Sequence, residues 1–158
     1  MATYNRTVTG GGTVGHPSNA AVPYVVTSPV WDTADGGTGG DIVQLIDVPA
    51  DTMIVAGCLE VLEARGNAQI TVDVGFTGGD VDCFIDGSVV AAGFTPFLEA
   101  AVGASGANAR MLTSADTIDA LILDAGSSGE SALRFRIHVV MVDVSVNPVE
   151  SATVSTGT

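Results

Sequence analysis

From Ala68 to Phe76 the chain alternates in the period of an extended strand, with Ile70, Val72, Val74 and Phe76 on one side and Thr71 and Asp73 on the other. A helix repeats its faces about every 3.6 residues, so this pattern cannot give an α-helix one apolar stripe. The same period returns near the C-terminus, where Leu133, Phe135, Ile137 and Val139 alternate with Arg134, Arg136 and His138. Beyond Arg136 the polar side turns apolar as well, through Val140 and Val142. A strand that is apolar on both faces belongs in the middle of a sheet or against another subunit.

Between these two stretches the chain reads as short strands and turn clusters. Asp41–Val48 is a strand closed by Pro49, and Ala50-Asp51-Thr52 is a turn. Met53–Ala64 is a long apolar strand whose drifting alternation predicts a bulge near Gly57. Arg65-Gly66-Asn67 reads as a hairpin turn into the next strand. A short strand is expected within Phe84–Ala92, one helical turn within Pro96–Ala101, and strands over Thr117–Leu123 and Ser131–Val146. Little helix and many turns predict an all-β protein, a β-sandwich of jelly-roll-like type with an extended N-terminal arm.

Residues 1–40 differ from the rest, with Gly10-Gly11-Gly12, Gly36-Gly37 and Gly39-Gly40 among several threonines. A free linker has no use for Tyr24, Val25, Val26 and the single tryptophan, Trp31. The segment is therefore read as an anchored arm that lies along a neighbouring subunit. Residues 41–146 form the sandwich domain and residues 147–158 a polar tail.

Charge narrows the function. The chain has 5 basic and 18 acidic residues, a net charge of −13, and all five basic residues are arginines. Such a balance disfavours nucleic acid, whose phosphates need basic neutralisation, and equally an anionic membrane surface. Lysine is absent, which fits either a GC-rich genome or adaptation to a salty medium. No apolar run nears the roughly 18 residues of a membrane-spanning helix, and the polar start Met1-Ala2-Thr3-Tyr4-Asn5-Arg6 lacks a secretory apolar region. Mean hydropathy is +0.43, so apolar surface must be buried in a core and in subunit contacts.

Few residues suggest chemistry. Asp80, Asp82 and Asp86 lie close together beside Gly78-Gly79, a carboxylate loop of the type that holds calcium. Counted from Asp80, however, the twelfth position, which closes an EF-hand loop with glutamate, is Ala91. The plainer reading is a turn in which Asp80 and Asp86 cap backbone amides. No other cofactor is indicated. His16 and His138 have no ligand at metal spacing, Cys58 and Cys83 read as buried free thiols, and no Gly-x-Ser-x-Gly or phosphate-loop motif occurs. Aromatic residues are 5% of the chain, a poor supply for a sugar-stacking glycosidase cleft. Arg134 and Arg136 share one strand face and are expected to pair with Asp119 or Asp73 on a neighbouring strand, or with a partner subunit.

The order of these pieces resembles a known family. Ile42-Val43-Gln44-Leu45-Ile46-Asp47-Val48-Pro49-Ala50-Asp51-Thr52, Ile70-Thr71-Val72-Asp73-Val74-Gly75, Phe84-Ile85-Asp86-Gly87, Ser114-Ala115-Asp116-Thr117-Ile118 and Val140-Met141-Val142-Asp143-Val144 follow one another as in small virion structural proteins of tailed bacteriophages. These are the proteins that decorate or cement icosahedral heads. The resemblance spans residues 41–144 and rests on strand-and-turn patterns. It implies a non-enzymatic subunit on the outer capsid surface, bound to the major capsid protein and to copies of itself, often as a trimer. Tyr24, Val25, Val26, Trp31, Arg134, Arg136, Val140 and Val142 are the expected interface residues. The competing readings are a calcium-dependent adhesion module and a tail or head-fibre component.

Overall fold

The computed structural model describes residues 3–9, 23–32, 39–64, 71–76, 79–89, 92–97, 110–123 and 133–145. Eleven strands follow in chain order among them: β1 (Thr3–Thr9), β2 (Pro23–Thr27), β3 (Trp31–Asp32), β4 (Ile42–Val48), β5 (Thr52–Glu63), β6 (Thr71–Phe76), β7 (Ile85–Val89), β8 (Gly93–Pro96), β9 (Arg110–Leu112), β10 (Asp116–Ile122) and β11 (Arg134–Asp143). Among the described residues no helix is long and apolar enough to cross a membrane.

The strands make two sheets. One runs β1-β4-β10-β6-β7; the other runs β2-β11-β5-β8, with β3 also beside β11 and β9 also beside β5. All pairings are antiparallel except β1 with β4, which is parallel. Period two in the sequence becomes two faces in each sheet. Val72, Val74 and Phe76 meet Ile118, Ala120 and Ile122 across one inner face. Phe135, Ile137 and Val139 lie beside Val61 and Leu59 on the other. These residues are all buried in one core, so the two sheets pack face to face as a β-sandwich. Each such aliphatic side chain contributes roughly 1.5–3 kcal/mol by leaving water.

Three aromatic rings fill the space between the sheets. Phe84 stacks on Phe97 at 4.6 Å and meets Phe76 edge-on at 5.1 Å. Room for Phe97 comes from Gly57: a Cβ there would lie 2.2 Å from the ring. The bulge expected near Gly57 lies two residues before it, at Val55. β5 shifts register against β11 on either side, skipping Val55 and Leu62, while Gly57 stays paired with Val139.

Two further expectations change. The Arg65-Gly66-Asn67 hairpin is overturned: the turn lies outside the described residues, but β5 and β6 on its two sides belong to different sheets. β5 instead pairs with β11, far along the chain, and with β8 and β9. Pro96, expected to open a helical turn, ends β8 and pairs with Cys58; residues 98–101 lie outside the described set. The glycine- and threonine-rich first forty residues contribute β1, β2 and β3, so within a single chain the strands of the arm lie on the sandwich itself.

Candidate interaction surface

The outward face of the β2-β11-β5-β8 sheet can be read off its register, row by row. Pro23, Val142, Met53 and Met111 form one row, and Val25, Val140 and Ala56 the next. Thr27, His138, Cys58 and Pro96 follow, then Arg136, Glu60 and Phe94, and finally Asp32, Arg134 and Glu63. One end of the face is apolar and the other charged. Val25 and Phe94 are each 67% exposed and Met111 is 56% exposed.

The charged end is a connected network. Glu60 Oε2 accepts from Arg136 Nε at 2.5 Å and from His138 Nε2 at 2.9 Å. The other ring nitrogen of His138 lies 2.9 Å from Thr27 Oγ1, which donates to a neutral ring and accepts from a charged one. Strands β5, β11 and β2 are thus linked by side chains on their outer side. The hydrogen bond from Arg136, and then that from His138, holds the Glu60 carboxyl below the usual glutamate range. Burial, and then the Glu60 charge, push the Cys58 thiol up. Arg134 lies 3.6 Å from Asp32 and 4.0 Å from Glu63. The expected pairing of the two arginines with Asp119 or Asp73 does not occur, because those acids sit in the other sheet.

The acidic loop sits on the outside of the first sheet. Phe76 N–H donates to the Asp80 carbonyl at 2.8 Å and Phe84 N–H to the Val74 carbonyl at 2.8 Å, folding the loop back over β6. Gly75 lets it approach: a Cβ there would lie 2.2 Å from the Asp80 carbonyl oxygen. Asp73 and Asp119, which point away from the core, are therefore only 6% and 4% exposed. The amide-capping role expected of Asp86 belongs to Asp73, whose Oδ1 accepts from Gly87 N–H at 2.6 Å. Burial, and then the Asp86 charge, raise the Asp73 carboxyl above the usual range. A hydrogen bond that the protonated Asp82 carboxyl donates to Asp80, then burial, raise that of Asp82. Among the described residues no three or more His, Cys, Asp or Glu side chains are gathered so as to hold a metal ion.

The expected interface residues are spread over both sides of the second sheet. Val25, Val140, Val142, Arg134 and Arg136 are on its outer face. Tyr24 and Val26 are half-buried against the core, and Trp31 is 1% exposed inside it. Burial and the Asp143 charge raise the Tyr24 hydroxyl above its ordinary value. Both cysteines are free thiols, Cys83 buried and Cys58 half-buried. Phe94 and Met111 were missed in the sequence because neither lies in a long alternating run; only their pairing with β5 places them on this face.

No family model and no curated protein matches the sequence. Solved structures do match the fold. A chain of the capsid of Ralstonia phage GP4 superposes with a TM-score of 0.58 at 19% identity, covering 79% of this chain and 87% of that one. A chain of the cyanophage Pam1 capsid gives 0.59 at 16%, covering 84% and 94%. A chain of the acid-stable capsid of Helicobacter pylori bacteriophage KHP30 gives 0.56 at 18%, covering 77% and 88%. At such identities the shared property is the β-sandwich itself, and it is the sandwich of chains found in three bacteriophage capsids.

Proposed function

We propose that this protein is a non-enzymatic structural subunit of a phage virion, a decoration or cement protein that binds the outside of the head shell and stabilises it. The observation that carries the reading is the fold match to capsid chains over most of both lengths. The outer faces support it. One carries described acids and one is partly apolar. On this reading the partners are the major capsid protein and further copies of the chain, grouped as a trimer. Weak contacts repeated over a shell add through multivalency, so no single contact needs to be strong.

The test is direct. Purified protein is mixed with undecorated phage heads, and bound protein is counted and located by electron microscopy. Saturable binding at fixed positions on the outer shell is the expected result. No binding at near-stoichiometric excess overturns the reading, and density on the tail or on a head fibre moves the protein to those structures.

A further inference from the structure

The chain contains two Asp-Gly pairs, Asp35-Gly36 and Asp86-Gly87, and the second lies in strand β7. Asp-Gly is the dipeptide most open to spontaneous isomerisation, because glycine has no side chain to shield its amide nitrogen. The nitrogen of Gly87 attacks Cγ of the protonated Asp86 carboxyl. An N–Cγ bond forms, a Cγ–O bond breaks, and the departing hydroxyl takes the amide proton and leaves as water. A second water opens the five-membered imide. Cleavage between the nitrogen and the main-chain carbonyl carbon then leaves isoaspartate, with the backbone running through the side chain. The fold keeps this labile pair for a reason. Asp86 and Gly87 together stand opposite the single Asp73, between the pairs Val74–Ile85 and Val72–Ser88. Such a bulge takes a backbone N–H off the ladder. Gly87 has a φ of 59°, so a bulkier and less reactive neighbour for Asp86 is strained there.

We infer that Asp73 protects the Asp86–Gly87 bond from isomerisation by holding the attacking amide. Ring closure must turn the peptide plane between Asp86 and Gly87 until the nitrogen faces Cγ. Gly87 N–H donates to Asp73 Oδ1 at 2.6 Å, which ties that plane to the opposite strand. The ladder pairs on either side of the bulge hold the chain before and after it. Asp73 itself is 6% exposed beneath the loop over β6, so it has no room to swing away. Exclusion of water does not protect the pair, because the Asp86 side chain is exposed. Burying a carboxyl in a sheet is costly, and holding this amide gives the buried acid of β6 a role that packing does not. Isoaspartate would lengthen the main chain of β7 by one carbon beside Ile85 and Phe84, which are 1% and 0% exposed. The protection belongs to the chain itself and holds whether or not the protein sits on a head shell.

The experiment is incubation of the full chain in mildly acidic buffer, followed by peptide mapping with fragmentation that separates isoaspartate from aspartate. Asp35-Gly36 in the same digests reports that the chemistry is running. In the folded wild type, isoaspartate at position 86 is expected to form at least about tenfold more slowly than in the same chain unfolded in urea. Folded Asp73→Ala is expected to lose most of that gap. Asp73→Asn keeps an oxygen for Gly87 N–H and is expected to stay as slow as wild type. Ser28→Ala removes a buried hydrogen bond of the other sheet; it controls for lost stability and is expected to stay slow. A wild type as fast as the unfolded chain overturns the inference. So does a folded Asp73→Ala as slow as wild type, an Asp73→Asn as fast as Asp73→Ala, or a Ser28→Ala as fast as Asp73→Ala. Where Asp73→Ala fails to fold, Asp73→Val removes the acceptor with a residue suited to a strand and is held to the same outcomes.

Discussion

Two glycines and one aspartate hold this fold together by what they omit or accept. Gly57 and Gly75 are both close-approach sites, but their neighbours differ. At Gly57 an added methyl meets the Phe97 ring, and at Gly75 it meets the backbone of Asp80 and Val81. A ring can be exchanged for a smaller side chain, whereas a backbone segment must move. Gly57→Ala and Gly75→Ala are each expected to lose about 1–3 kcal/mol in urea unfolding. Adding Phe97→Leu to Gly57→Ala should cost less than the sum of the two single changes, since the methyl then fills space the ring has left. Strict additivity would show that Phe97 does not rest on Gly57. Asp73 gives a pH prediction. Its carboxyl is raised by burial, so the native state binds the proton more tightly than the unfolded chain. Stability is therefore greatest with the proton on, and falls as pH rises from the ordinary aspartate value, about 3.9, through the raised one. Asp73→Asn keeps an oxygen for Gly87 N–H and removes the charge. It should be at least as stable as wild type at neutral pH and should flatten that part of the pH profile. An Asn variant less stable than wild type at neutral pH would reject the account.

At the scale of elements, the break between β2 and β3 depends on Ser28. Its Oγ accepts from Ile137 N–H at 2.9 Å and donates to the Pro29 carbonyl at 2.9 Å, while its own N–H donates to the Ile137 carbonyl at 2.9 Å. The side chain replaces a ladder bond where the arm changes course along β11. Ser28→Ala leaves a buried N–H without that acceptor and should cost about 1–3 kcal/mol, read as a lower urea midpoint. This residue also shows what was legible in the sequence. β4, β6, β10 and β11 announce themselves by period two or by continuous apolar runs, and the sandwich follows from them. Ser28 does not, because its partner is 109 positions away. The same holds for the false hairpin between β5 and β6: turn residues mark where a chain bends, not which sheet it enters next. Asp80, Asp82 and Asp86 were legible as a cluster, but their roles depended on Gly75 admitting the loop over β6. With Asp73 capping Gly87 and the Asp80 carbonyl accepting from Phe76 N–H, the loop is closed by protein groups. Chelation with EDTA is accordingly expected to leave the melting temperature unchanged; a drop of several degrees would restore calcium as a ligand of this loop.

For the whole molecule, the arrangement of charge matters more than its sum. Acids of the first sheet and its loop lie on one outer side, and on the second sheet Arg134 and Arg136 are held in paired networks. Copies of the chain that associate work against the repulsion between net charges of −13 each. Added salt screens that repulsion, since the Debye length shrinks from about 14 Å at 0.05 M to about 4 Å at 0.5 M. Self-association should consequently strengthen across this range. Binding of the acidic side to a head shell would draw on attraction to basic groups, which the same salt weakens. The prediction is a crossing pair of salt dependences: sedimentation shows tighter self-association at the higher salt, while co-sedimentation with heads shows looser shell binding. Parallel slopes would mean that the same electrostatics governs both associations, and attraction of the acidic side to basic groups of a shell would then be wrong.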